Sequence, residues 1–357
     1  MLDRLREWMR SESVGAVCLT DPISIAYLTG VQLNPHERLC SLIVTVAEAT
    51  LVLPALEAAG ARSAVKGAAL RPWTDGQDPW RVVAEALAGT GDRLGVEKAH
   101  LSLARWEKLR SLTGASQALD AGWPLTRLRS RKSPQELAAL QHAAKLTDAV
   151  TERIWEHIHE GITETEIGRA LEALMAELGA APSFEGIALS GPNTALPHGR
   201  QSERRLQPGD LVLLDFGARH DGYAADTTRV GVVGPPSREQ VELHALVLAA
   251  HDSAIAAVRP GLTAGELDET ARGTIRAAGH GEHFNHRLGH GLGLEVHEHP
   301  SLDPGSGTVL EEGMVITIEP GVYVPGWGGI RIEDDLVLEA GGARLLTRAD
   351  RSLRCIG

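Results

Sequence analysis

Four histidines crowd the stretch FNHRLGHGLGLEVHEHP, residues 284–300: His286, His290, His297 and His299. His280 and His283 stand just upstream. Imidazole titrates near neutrality and is the commonest metal ligand, so a concentration of this kind points to the lip of a site. Gly289, Gly291 and Gly293 surround His290, and a residue without a side chain serves where backbone must turn or approach something closely. Oxygen donors stand at the ends of two apolar runs. Asp215 closes Leu211–Leu214, and Glu319 closes Met314–Ile318. Each run is followed by a second segment with another acid, Asp226 in one case and Glu333 in the other. Carboxylates are rarely buried unless paired or metal-bound. Four of them with one imidazole make an oxygen-rich site suited to two divalent cations, whose charge offsets the mutual repulsion. Such donors suit Mn²⁺, Co²⁺, Fe²⁺ or Zn²⁺. Two cations can share a bridging hydroxide as nucleophile and polarise a carbonyl oxygen, which is the chemistry of amide or phosphoester hydrolysis.

The elements that must position these residues occur twice. Gly161-Ile162-Thr163-x-x-Glu166-Ile167 recurs as Gly261-Leu262-Thr263-x-x-Glu266-Leu267. Each is a capping box opening a helix, and each follows a long amphipathic helix, the first opened by Ser133-Pro134-Gln135-Glu136 and the second near Ser237. Gly209 and Gly313 each precede an apolar strand, with Asp215 and Glu319 six residues further on. The catalytic part therefore reads as two helix-helix-strand-strand units about a pseudo-twofold axis, with the acid pairs converging near it.

The first third reads differently. Val14–Thr20, Ser41–Val46 and Thr50–Leu53 are strand-like, and Ala55–Val65, Trp80–Leu87 and Leu101–Leu112 are helix-like. This alternation predicts an α/β domain with a mixed sheet. No Gly-rich loop follows a strand, so a nucleotide site is not expected. The loop Val31–Leu39 crowds His36, Glu37 and Arg38 between two apolar segments, which reads as a charged finger reaching a site. The basic segment Leu125–Lys132 lacks strong periodicity, so we expect domains at 1–125 and 126–357. A chain of 357 residues fits that division. The formal net charge of -12 argues against nucleic acid as a partner. No apolar run is long enough for a membrane span. Three dispersed cysteines without a CxxC pattern are the pattern of a reducing, cytoplasmic setting.

DFGARHDGYAADTTR (215–229), GHGLGLEVHEHP (289–300), ITIEPGVY (316–323) and GIRIEDD (329–335) closely resemble the pita-bread metallopeptidases. That family includes methionine aminopeptidase, aminopeptidase P and prolidase, with creatinase as a metal-free relative. The resemblance implies an α+β pita-bread domain with an internal pseudo-twofold repeat from about Ser133, behind an α/β creatinase-like N-terminal domain. It implies that Asp215 binds one metal, that His290 and Glu319 bind the second, and that Asp226 and Glu333 bridge both. Glu319 would also handle the proton of the attacking hydroxide. His198, in LPHGR, matches a substrate-contacting histidine. His286 and His297 match the pair that steadies the carbonyl and the tetrahedral intermediate. Tyr323 and Arg331 match pocket positions of the proline-specific branch. His280, His283 and His299 have no such counterpart and are read as rim residues.

The N-terminal domain sets the chain apart from methionine aminopeptidase, and all five ligands set it apart from creatinase. The resemblance thus implies a hydrolase cutting before proline: an Xaa-Pro dipeptidase (prolidase) or, alternatively, aminopeptidase P on longer peptides. A non-catalytic binding protein on the same scaffold is a third reading, which retention of the ligands opposes. Hydrolysis of organophosphates or other esters is expected only as a side activity. A dipeptide specialist must recognise a free carboxylate, and an arginine fork fits one; Arg38, assisted by His36, is the expected partner. Manganese heads the expected metals, and the resemblance implies a homodimer.

Overall fold

The long apolar runs of the first third become a sheet whose two faces are both covered. The computed structural model describes residues 1–357, which divide into two units, Met1–Arg129 and Ser130–Gly357. In the first unit six strands lie in the order Ala69–Trp73, Ala49–Pro54, Ser41–Thr45, Ala16–Leu19, Arg93–Val96, Gln117–Asp120. Ser41–Thr45 is antiparallel to both its neighbours and the remaining pairings are parallel. Side chains alternate between two apolar clusters: Val17, Leu19, Leu42, Val44, Leu51 and Leu53 on one face, Ala16, Cys18, Ile43 and Val52 on the other. Burial on both faces is why these strands are apolar without a break.

Three strands were not expected from the sequence. Ala69–Trp73 is mostly exposed, and Arg93–Val96 and Gln117–Asp120 are four residues each. Short strands toward the sheet edges carry little periodic signal. The segment expected to be an aperiodic boundary is instead the end of a helix, Gly122–Ser130. Leu125 and Leu128, one turn apart, hold it against the first apolar cluster, and its arginines hid that spacing.

The second unit realises the duplication. Its four main helices, Pro134–Ile154, Glu164–Glu177, Arg238–Ala257 and Ala264–Ala277, all open on complete capping boxes. Each half then supplies an antiparallel strand pair, Leu211–Phe216 with Thr227–Val233 and Val315–Ile318 with Asp334–Glu339. The first pair lies in a four-stranded sheet closed by Arg354–Ile356, which pairs parallel to Thr227–Val233. The second lies in a five-stranded sheet beside His290–Gly291. Leu211, Leu213, Ile316, Ile318, Leu336 and Leu338 share one apolar cluster with the third and fourth helices. The two sheets therefore meet over a common core, and a backbone bridge joins Thr228 to Glu333.

A buried ion pair ties the same junction. The Arg229 guanidinium sits 2.7 Å from Asp334 Oδ1. It also donates to the carbonyls of Thr228, Glu333, Ala349 and Asp350. Both side chains are almost fully buried, at 2% and 1% exposure. Burial alone would raise the Asp334 carboxyl, yet Arg229 and His251 hold it below the ordinary value. Removing one partner of such a pair leaves an uncompensated buried charge, at a cost of about 3–5 kcal/mol. Arg229→Met should therefore lower the unfolding midpoint of this unit by on the order of 10 °C. A differential scan with an unchanged midpoint would show that the tie contributes nothing.

Candidate active site

Asp215 lies opposite Thr228 in the first strand pair, and Asp226 stands immediately before the second of those strands. Glu333 stands immediately before Asp334–Glu339 in the other half. The two strand entries are stitched to each other. Asp226 N–H donates to Asp335 Oδ2 at 2.9 Å. Thr228 Oγ1 donates to Glu333 Oε2 at 2.6 Å, and Thr227 Oγ1 to the Glu333 carbonyl at 3.1 Å. His290 enters between the strands Glu298–Ser301 and Val315–Ile318. Its Nδ1 lies 3.1 Å from its neighbour's carbonyl, Gly291 O. An Nδ1 proton held there leaves Nε2 free to accept, which is the tautomer a metal ligand needs. That Nε2 is 3.3 Å from Glu319 Oε1 and 3.8 Å from Asp226 Oδ2. Thr317 sets both groups: its Oγ1 accepts from His290 N–H at 3.1 Å and donates to Glu319 Oε1 at 3.3 Å.

Ligand atoms of Asp226, His290 and Glu333 all lie within 4.8 Å of one another, and all three residues are buried. Asp215 Oδ1 and Asp226 Oδ1 are buried oxygens with no hydrogen-bond partner. Such orphans in a hard-oxygen cluster with one imidazole fit a divalent cation. The electrostatics agree. Burial, with Glu333 and Asp215 adding repulsion, pushes the Asp226 carboxyl well above the ordinary range. Burial, with Glu319 and Asp215, does the same to Glu333. Glu319 is raised to about 7, chiefly by burial, with Asp215 adding to it against Arg331 and Arg287. His290 falls to about 3, by burial first and His297 second, so its ring is neutral at physiological pH.

A cavity of about 520 Å³ opens onto this cluster. His198, His286 and His297 all line it. The His297 ring meets His290 edge-on, with centroids 4.4 Å apart. His286 is held more firmly: its Nδ1 is 2.7 Å from Arg287 O, and its Nε2 is 3.0 Å from Tyr323 Oη. Arg331 donates to that hydroxyl at 2.7 Å, to Thr228 Oγ1 at 3.0 Å, and to Asp215 Oδ2. Burial works to lower the guanidinium, but Tyr323, Asp215 and the neighbouring glutamates more than offset it and raise Arg331 above its usual value. Burial lifts Tyr323 to about 12 and drops His286 to about 3. One Asp215 oxygen thus faces Arg331 and the other is unpartnered.

In the first unit, Arg38 contacts Asp75 at 3.3 Å and Glu37 at 3.1 Å, at the surface. His36 adopts a left-handed backbone, with φ 49°. The glycines around His290 serve close backbone approach, as the sequence suggests, and what approaches is a neighbouring strand. A Cβ on Gly289 would lie 2.1 Å from Thr317 O, and one on Gly291 2.3 Å from His299 O. They are there because neighbouring backbone passes that close. Thr228, Thr317, Asp335 and Arg287 went unnoticed in the sequence. The first three sit in the DTT, ITIE and EDD runs beside the acids, and a hydroxyl or second acid there was the available signal.

Residues 138–340 match the sequence profile of metallopeptidase family M24, and residues 1–131 match that of the creatinase/prolidase N-terminal domain. The chain is 38% identical to the Xaa-Pro dipeptidase of Lactobacillus helveticus, over 99% of this chain and 98% of that protein. Among solved structures, the prolidase from Pyrococcus horikoshii OT3 is similar with a TM-score of 0.92 and 36% identity, covering 99% of each chain. The Xaa-Pro dipeptidase from Bacillus anthracis gives 0.93 and 33%, covering 99% of this chain and 98% of that one.

The raised carboxylates make stability depend on pH and metal together. In the metal-free folded protein they hold protons at pH values where the unfolded chain, with ordinary values near 4, has already ionised. That contribution is complete below about pH 4 and is lost as pH rises through about 7 for Glu319 and through the raised values of Asp226 and Glu333. A divalent cation replaces those protons. The rise in melting temperature on adding Mn²⁺ to chelator-stripped protein should therefore grow from about pH 5 to about pH 8. An equal rise at both ends would mean that these acids do not bind the ion.

Proposed function

Since the chain belongs to metallopeptidase family M24, with a creatinase/prolidase N-terminal domain and a pita-bread C-terminal domain, we propose that it is an Xaa-Pro dipeptidase. It would hydrolyse the imide bond of a dipeptide and release the residue before proline. The observation that carries the reading is the buried Asp226–His290–Glu333 cluster, with orphaned carboxylate oxygens, at the foot of a histidine-lined cavity. Asp215, Asp226, His290, Glu319 and Glu333 would hold two divalent cations, Mn²⁺ being our choice. When bound, such ions acidify the attacking water and polarise the scissile carbonyl.

The chain's own groups supply the rest. Glu319, whose Oε1 lies 3.3 Å from His290 Nε2 in the cluster, would take the proton of the attacking water and pass it to the leaving proline nitrogen. His198, on the cavity wall, would contact the substrate, and His297, edge-on to His290, would steady the scissile carbonyl. His286, on the cavity wall, would face the substrate beside the scissile carbonyl; its Nδ1 is spent on Arg287 O and its Nε2 accepts from Tyr323 Oη, which Arg331 holds, so these contacts fix where the ring stands. The expected division into a creatinase-like domain at 1–125 and a catalytic domain at 126–357 is kept in outline, with the boundary moved to the end of the helix Gly122–Ser130, whose Leu125 and Leu128 pack in the first unit. A homodimer in the cytoplasm is the expected setting; no helix is long and apolar enough to cross a membrane.

With Mn²⁺, the purified protein should release proline from Xaa-Pro faster than it cleaves Xaa-Pro-Xaa, and a chelator should abolish both. Faster turnover of the tripeptide would make it an aminopeptidase P instead. For carboxylate recognition we retain Arg38, with His36. Solvent-exposed ion pairs like those to Asp75 and Glu37 are weak, so the guanidinium can exchange to a substrate. Arg38→Ala should lower kcat/KM for the dipeptide by about 10- to 100-fold while sparing the tripeptide. Equal turnover of both substrates by variant and parent would remove the loop from recognition.

A further inference from the structure

On the second helix of each half, a deeply buried carboxylate outside the metal cluster is spent on the backbone of a neighbouring segment. Glu164, the first residue of the helix Glu164–Glu177, has no exposed surface. It accepts from Ser190 N–H at 2.7 Å and Ser190 Oγ at 2.8 Å. It accepts from Ser202 N–H at 3.0 Å and Ser202 Oγ at 2.6 Å. The Asn193 amide completes the set at 3.0 Å. One side chain therefore grips both ends of the segment 190–202, whose middle carries Pro197 and His198 into the cavity wall. Arg204, paired with Asp210, braces the same anchor by donating to Ser190 Oγ at 2.7 Å.

Asp268, in the helix Ala264–Ala277, does the corresponding work in the second half. It is 1% exposed and binds the Arg272 fork through both oxygens, at 2.7 and 2.8 Å. Arg272 in turn donates to Phe284 O at 2.7 Å and His286 O at 2.8 Å. Asp268 Oδ1 accepts from Leu288 N–H at 3.1 Å. The backbone is thereby held on both sides of His286. In the repeat alignment Ala264 stands where Glu164 does, and Gly168 stands where Asp268 does. The halves reach one arrangement from different positions on the helix.

Burying a carboxylate is expensive unless its oxygens are satisfied, and a capped helix needs no acid of this kind to form. We infer that Glu164 and Asp268 are positioning residues: Glu164 sets the reach of His198, and Asp268, through Arg272, sets that of His286. This rests on the reading that both histidines face the substrate.

Double-mutant cycles on the Mn²⁺-loaded protein test it. Glu164→Gln should lower kcat/KM for an Xaa-Pro dipeptide by about 10- to 100-fold. In a His198→Ala background it should have no further effect, whereas with His286→Ala the losses should multiply. Asp268→Asn should show the reverse pattern, coupled to His286 and independent of His198. Losses that multiply with both histidine changes would mean general loosening and would overturn the assignment. A Glu164→Gln protein with parental turnover would overturn its half. If His198→Ala or His286→Ala alone leaves turnover unchanged, the substrate role of that histidine fails, and the positioning claim falls with it. Should either acid variant not fold, Ser202→Ala and Arg272→Lys weaken the same anchors and enter the same cycles, with coupling to the matching histidine expected and independence from it overturning the claim.

Discussion

Several carboxylates held together out of water repel one another, and everything in the second unit is arranged around keeping them there. Asp215, Asp226, Glu319 and Glu333 lie in one region of low dielectric, where repulsion is far stronger than in solvent. Flexible loops would let the acids drift apart and hydrate. The fold instead places them at the ends or entries of strands whose other residues are buried in the shared apolar core. The threonines complete the restraint. Thr228 bonds Glu333, and Thr317 bonds both His290 and Glu319. Short hydroxyl side chains suit this place because they hydrogen-bond the acids and carry no charge.

Positive charge is rationed in the same region. Arg331 meets Asp215 and Tyr323 at the cavity, while Arg229 meets Asp334 one residue beyond Glu333. The Arg331 guanidinium touches the acid cluster at Asp215, while that of Arg229 is held just beyond it. Metal cations can therefore supply the remaining neutralisation, and burial keeps His290 and His286 neutral. His290 and His286, both near 3, cannot compete as cations with the ions beside them.

Much of this was legible in the sequence, because the features that organise it are local. The capping boxes at Thr163 and Thr263 and the glycine-to-acid spacing of 209–215 and 313–319 exposed the duplication, and its consequence was a convergent acid cluster. What could not be read was long-range. Glu164 looks like any acid in a helix's first turn until Ser190 and Ser202 are seen around it. Gly289 signals that something comes close, but nothing in a one-dimensional string says that it is the Thr317 carbonyl. The strand Ala69–Trp73 was hidden by its exposure, since only a half-covered or fully covered strand writes a clear pattern.

The strand Arg354–Ile356 closes the sheet of the first half, although it is encoded after the whole of the second. During synthesis, Thr227–Val233 thus emerges about 120 residues before its parallel neighbour. Until then one side of that strand stays without its hydrogen-bonding partner, a state prone to mispairing. The two repeats look like modules, but the sheet of the first includes a strand encoded after the second. The first half's sheet therefore takes its final edge only after the whole of the second half has been made.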